Sequence, residues 1–527
     1  MNRIISSLLT LLTVAGLQAQ QPVEVPRLVV NIVIDQLRGD YLHYFSSTFG
    51  EKGFKRLYNE GLIYQHADFG FPNVGETSSA AAIHTGTYPF YNGIPSAHKY
   101  DPALRKEVSI THDNNYIGSY TSDRFSPLVL SASTVGDEVK IASNGVSHVF
   151  SIASNPETAI VSGGRYANAA FWLDDYNGKW ATSTYYKDIP WHIDRFNSRE
   201  ALGNFQENTW MQAHSHYVGF PYSSSRTQFL YKFGKEDNQR FIKLKQTPLI
   251  NNQVTNFAVH FIEQAGLGLD SYPDLLSLTY YAGNYKYGDA VDECNFEVQD
   301  IYYQLDKDLA KLFDAIDKKL GLDKVLIVVS STGYFDAGSR TDSEIKPFGE
   351  FYPARCTALL NMYLSATYGQ GNWVEYYYDN QLYFNKKLVE EKGLNWNEFV
   401  AFAGEFVAQF SGVQDVTSFS QWLVDDIGRA ANFRRGMNKN TSGDLFVELQ
   451  PGWITAEEGK TDTYHFYRNM GVLSPVFFLG NHIQHKHVYR TIKATEIAPT
   501  ISYILRIRPP NGTSDQPLEE FFYLNKH

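Results

Sequence analysis

The eight residues "LVVNIVID" at 28–35 constrain this chain more than any other stretch. Aliphatic on both sides of its alternation apart from Asn31, the run has no solvated face, so it reads as a strand buried inside a parallel sheet. It ends on an acid, Asp35, at the carboxyl edge where open α/β sheets place their ligands. Two further runs share this character, "PDLLSLTYY" at 273–281 and "KVLIVVSS" at 324–331. Between them Phe296, Ile301, Leu305, Leu309, Leu312, Phe313 and Ile316 recur at helical spacing, which predicts one long amphipathic helix. A strand, a helix and a second strand imply a parallel crossover.

The 527 residues exceed the roughly 100–200 of a typical domain. With no internal repeat or low-complexity linker, the chain reads as one α/β domain over 21–527 carrying insertions. The stretch from about 105 to 265, rich in Tyr, Trp, Asn and Ser ("FWLDDYNGKWATSTYY"), has the look of an inserted cap. Residues 1–20, "MNRIISSLLTLLTVAGLQAQ", place one Arg before an apolar run and end in small and polar residues, the layout of a secretory signal peptide. No Cys follows it for a lipid anchor, and no later apolar stretch reaches the roughly 18 residues of a membrane span, so the expected product is exported and soluble after cleavage. A formal charge of −11 disfavours nucleic acid, which needs clustered Lys and Arg. Two cysteines, Cys294 and Cys356, have no zinc-site spacing, and their pairing is left open.

Following Asp35 comes "GFKRLYNEGLIYQHADFGFPNVGETSSAAAIHTGTYPFYNGI", and later "ATEIAPTISYILRIRPPNG". These segments resemble the alkaline phosphatase superfamily, specifically the bacterial phosphate-monoester hydrolases close to the nucleotide pyrophosphatase/phosphodiesterases, over nearly the whole mature chain. The resemblance implies a parallel sheet sandwiched by helices on both faces, with an inserted cap. In active relatives it implies two Zn²⁺ ions held by Asp and His and an attacking Thr or Ser hydroxyl, the two-metal arrangement for in-line displacement.

Set against that pattern residue by residue, the first ligand is present as Asp35. The nucleophile position, nine residues before Thr85, is Glu76, with Thr77 one residue late; a one-residue slip on a helix rotates a side chain by roughly 100°. The family's Asp and His before the long helix align with Tyr285 and Asp289, and its Asp-His-Gly aligns with Thr332, Gly333 and Tyr334. The last His falls near Tyr464, with His465 beside it, and the phosphate-binding Lys-x-Arg aligns with Asn155 to Glu157. One ligand, Asp35, is kept; Asp289 and His465 are debatable substitutes; Glu76/Thr77 is a vestigial nucleophile position. Zinc sites tolerate few such losses.

Other candidates have bland and sharp readings. His482, His485 and His487 in "GNHIQHKHVY" are either solvated or a two-ligand metal clamp, and Arg434 and Arg435 are either solvated or a phosphate clamp. The Tyr-rich "YYAGNYKYGD" and "EYYYDNQLYF" serve either a core or the stacking of a sugar or a partner. Without metal, Asp35 is expected to cap the following turn through backbone amides. The residue losses lead to the expectation of an exported pseudoenzyme with no catalytic residues and no cofactor, acting with a protein partner in the cell envelope, such as an outer-membrane complex. The alternatives are an active phosphomonoesterase or phosphodiesterase with a rearranged metal site, and an envelope glycan-binding protein.

Overall fold

The computed structural model describes residues 24–187, 191–214, 228–287, 296–340, 348–422, 429–456, 464–468 and 473–525. Its centre is a ten-stranded sheet. In chain order the strands are β1 (Leu28–Asp35), β2 (Leu62–Tyr64), β3 (Gly118–Ser119), β4 (Val149–Ile152), β5 (Ala169–Leu173), β6 (Trp180–Ser183), β7 (Asp274–Tyr281), β8 (Val325–Ser331), β9 (Val476–Gly480) and β10 (Lys486–Val488). Their spatial order is β10-β2-β9-β8-β1-β7-β4-β5-β6-β3. The expected strands and helix are all present, within one residue of the expected strand bounds; the helix, α4, spans Phe296–Leu320.

Burial on both faces explains the continuous apolar runs. β7 and β8 lie parallel to β1 on either side of it, so the β7–α4–β8 connection is the expected parallel crossover, carried over β1. On one face α3 (Pro248–Gln264) and α4 cover Val30, Ile32 and Ile34 with Phe257, Leu305 and Leu309. On the other, α1 (Glu76–Thr85) and α5 (Ile497–Leu505) cover Val29 and Val33 with Ile83, Ile497 and Ile501. The stretch 105–265 contributes β3 to β6 and also α2 (Pro156–Gly163), which packs beside α1. A separate four-stranded sheet, ordered 374–378, 381–384, 445–449 and 413–418, has its own core around Trp373, Phe399 and Leu445. No helix of the described residues is long and apolar enough to cross a membrane.

Candidate active site

Parallel strands deliver their last residues to one edge, and there the polar side chains collect. Asp35, the final residue of β1, is 4% exposed. The Thr332 hydroxyl donates to its Oδ1 at 3.0 Å, and the Gln36 amide donates to its Oδ2 at 3.3 Å. The expected backbone capping by Asp35 is therefore corrected: side chains satisfy it, because the backbone N–H of Gln36 donates to Thr332 Oγ1 instead, at 2.9 Å. Thr332, at a ligand position of the resemblance, is a buried link between the ends of β1 and β8. Gly333 next to it has φ +79°, and a Cβ there would stand 2.2 Å from the Phe69 ring, so only glycine fits.

The helix α1 starts beside this edge. Ser78 Oγ accepts from the Gly75 N–H at 3.0 Å and donates to Asn73 O at 2.9 Å, which shapes the entry to the helix. Ser79 Oγ donates to Thr332 O at 2.7 Å and fixes α1 to the end of β8. Glu76, the first helical residue, turns into the cleft: Oε2 accepts from the Asn155 amide at 2.7 Å, and Oε1 is buried with no hydrogen-bond partner among the described residues. Thr77 also stands at the cleft wall, its hydroxyl 3.3 Å from that of Thr158 on α2. The helical rotation thus gives the cleft a carboxyl group where the resemblance implies a hydroxyl.

Asp35 and Glu76 line one cavity of about 250 Å³ together with Lys245, Lys286, Asp175 and Tyr334. It adjoins a larger cleft of about 1150 Å³ that shares Glu76, Asn155 and Lys245 and extends to the hairpin at 98–109. Burial, and then repulsion by Glu76, pushes the Asp35 carboxyl up to about 8 despite its bonds to Thr332 and Gln36 and the nearby Lys286 ammonium. Burial raises Glu76 as well, opposed by hydrogen bonds from Asn155 and Thr158. Lys245, itself 8% exposed, pairs with Asp175 at 2.5 Å.

Of the residues singled out in the sequence, Asp35, Glu76, Asn155, Thr332 and Tyr334 converge here, and Tyr334 accepts from Gln36 at 3.4 Å. Tyr285 lines no part of the cavity: it is 3% exposed and packs against Trp210 and Tyr231 at ring distances of 5.3 and 4.8 Å. His485 and His487 lie together at 5.3 Å on the far edge of the sheet, and Arg435 lies over the Tyr88 ring at 5.0 Å. Asp289, Cys294 and the side chain of His465 lie outside the described residues, whereas Cys356 is a buried free thiol. The sequence reading missed Gln36, Lys245, Lys286 and Asp175. No local pattern marks the two lysines, which come from segments far from β1 and reach the cavity only through the fold.

Residues 29–473 match the family model described as type I phosphodiesterase / nucleotide pyrophosphatase. The chain belongs to this family. Among curated relatives of the family member, alkaline phosphatase PafA of Elizabethkingia meningoseptica is 27% identical over 97% of this chain and 98% of its own. Alkaline phosphatase PhoV of Synechococcus elongatus is 26% identical over 94% and 92%. A Myroides odoratus protein named calcium-transporting ATPase is 27% identical over 95% and 96%. The crystal structure of PafA superposes with a TM-score of 0.78 at 26% identity, covering 95% of this chain and 99% of that one.

These likenesses correct two expectations. The expectation that the chain is no enzyme gives way to full-length relatives and a structural neighbour that are alkaline phosphatases. The expectation of no cofactor falls with it, since the resemblance implies two Zn²⁺ in active members. Physically, the strand edge has not been filled in by packing; it keeps a cavity with a buried carboxyl pair. The described side chains still do not fit a pair of zinc ions, because no group of three His, Cys, Asp or Glu among them could hold a metal.

Proposed function

We propose that this chain is an exported phosphoesterase working at a rearranged site, with Asp35 and Glu76 as its acid–base pair. The observation that carries the reading is the pair itself: two carboxyl groups in one cavity, at the ligand edge of the sheet, with two lysines beside them. Burial raises both carboxyl groups and Glu76 raises Asp35 further, so in this reading Asp35 keeps the proton to donate and Glu76 accepts one. In the proposed hydrolysis Glu76 takes a proton from water as the water oxygen bonds to phosphorus. The ester P–O bond breaks, and Asp35 gives its proton to the departing alkoxide. Lys245 and Lys286 offset the phosphate charge. The apolar leader at 1–20 supports export to the envelope, where a protein partner would be met.

The test is turnover of p-nitrophenyl phosphate and bis-p-nitrophenyl phosphate by the purified chain, alone and as Glu76→Gln. The substitution keeps the shape of the side chain and its bond to Asn155 but removes the base, so the rate should fall by roughly 10²–10⁴. Unchanged turnover in Glu76→Gln, or none of either ester by the parent protein between about pH 5 and 9, defeats the reading.

A further inference from the structure

Beneath the cleft, between the sheet and the helices α1 and α2, lies a row of polar side chains that the proposed chemistry does not use. Asn31 on β1, Ser277 on β7 and Ser151 on β4 are register partners across three adjacent strands. They share the face of Val29, Val33, Leu275 and Val149, which is the face that α1 covers. His84 of α1 reaches down to this row, its Nδ1 3.4 Å from Asn31 Nδ2. Ser162 lies one turn along α2 from Thr158, and the adjacent Gly163 brings α2 so close that a Cβ there would stand 3.4 Å from Ser151 Cβ. None of the five polar residues is more than 1% exposed.

Their hydrogen bonding is incomplete. Asn31 Oδ1, His84 Nε2 and the hydroxyls of Ser151, Ser162 and Ser277 have no partner among the described residues. Protein interiors pair roughly nine in ten such groups, so five orphans in one seam call for a common partner. Burial lowers His84 to about 3, so its ring is neutral. With the Asn31 amide donating to Nδ1, the ring proton sits on Nε2 and needs an acceptor. Asn31 Oδ1 needs a donor, and the three hydroxyls can act either way. None of the five named residues carries a charge to hold an ion, and their polar atoms do not suit an apolar ligand. Small neutral molecules, each with two donors and two acceptors, satisfy the five atoms when at least two of them share the seam.

We infer that this seam is an internal hydration site, in which ordered water bridges Asn31, His84 and the serines of β4, β7 and α2. Such water ties α1, the helix that opens with Glu76, to the strands beneath it through hydrogen bonds that the chain cannot make by itself.

A crystal structure of the full chain, at a resolution that shows waters, tests the inference directly. Density within hydrogen-bond distance of His84 Nε2, Asn31 Oδ1 and Ser277 Oγ is expected. A dry seam, with these atoms paired to one another through other rotamers, overturns it. His84→Gln keeps a donor and an acceptor and should retain the density, whereas His84→Leu should lose it and melt several degrees lower. Retained water and an unchanged melting temperature in His84→Leu also overturn the inference. If His84→Leu does not fold, the densities of the parent and of His84→Gln decide.

Discussion

The helices α4 and α1 sit on opposite faces of the same strands and are built by opposite rules. In α4 large apolar residues, among them Leu305, Leu309, Leu312 and Phe313, line the sheet while Lys307, Lys311 and Lys318 face solvent. One solvated side makes the 3.6-residue period visible in the sequence. In α1 all nine residues from Thr77 to Thr85 are buried, and three of them are consecutive alanines. A helix enclosed on every side has no polar face to mark its period, and it needs small residues to fit between neighbours. The element whose pattern says least is the one that carries Glu76, Thr77 and His84.

The contrast predicts that lost volume harms α4 and added volume harms α1. The largest effect is expected for Leu309→Ala, which opens a cavity in the main core and should cost about 2–5 kcal/mol in urea unfolding. Lys318→Ala on the exposed side of the same helix should stay within about 0.5 kcal/mol. Ala81→Leu in α1, packed against Ile94, Leu130 and Val161, should cost about 1–3 kcal/mol by overpacking. A neutral or stabilising Ala81→Leu would show that α1 has room to spare and would break the comparison.

A pH-dependent effect separates the strand interior from its edge. The folded chain holds the Asp35 proton up to about pH 8, whereas the unfolded chain loses it near the ordinary value of 3.8. Between those values the folded state binds more protons, so this group makes stability fall as pH rises, and above about 8 the penalty is constant. Asp35→Asn removes that slope: its melting temperature relative to the parent should climb from pH 5 to pH 8. A parallel pair of pH profiles would mean that Asp35 is already ionised in the fold. The smallest effect is expected for Thr77→Ala, which loses only the contact with Thr158. It should cost about 1 kcal/mol and leave ester turnover within a few-fold of the parent. Loss of turnover in a folded Thr77→Ala would return the nucleophile to that hydroxyl.

Much of the scaffold is legible in the sequence for a local reason. β1, β7 and β8 are buried on both faces, so each is a continuous apolar run, and α4 shows its solvated side. Asp35 is placed at the ligand edge by being the last residue of such a run. Chain-local patterns record what each segment buries, and that is enough to draw these elements and their parallel crossover. They do not record which segments meet. The orientation of Glu76 toward the cleft and Thr77 toward Thr158 depends on where the first turn of α1 begins, fixed by Ser78 and Ser79 against Asn73 and Thr332. Thr332 reads as a lost ligand in the sequence, yet in the fold it is the hydroxyl that holds Asp35. Lys245, Lys286 and Asn155 reach the same cavity from three separate segments. Only the tertiary structure decides their convergence, because the charge felt by a buried carboxyl group is a sum over neighbours in space, and for Asp35 all of them but Gln36 are distant along the chain.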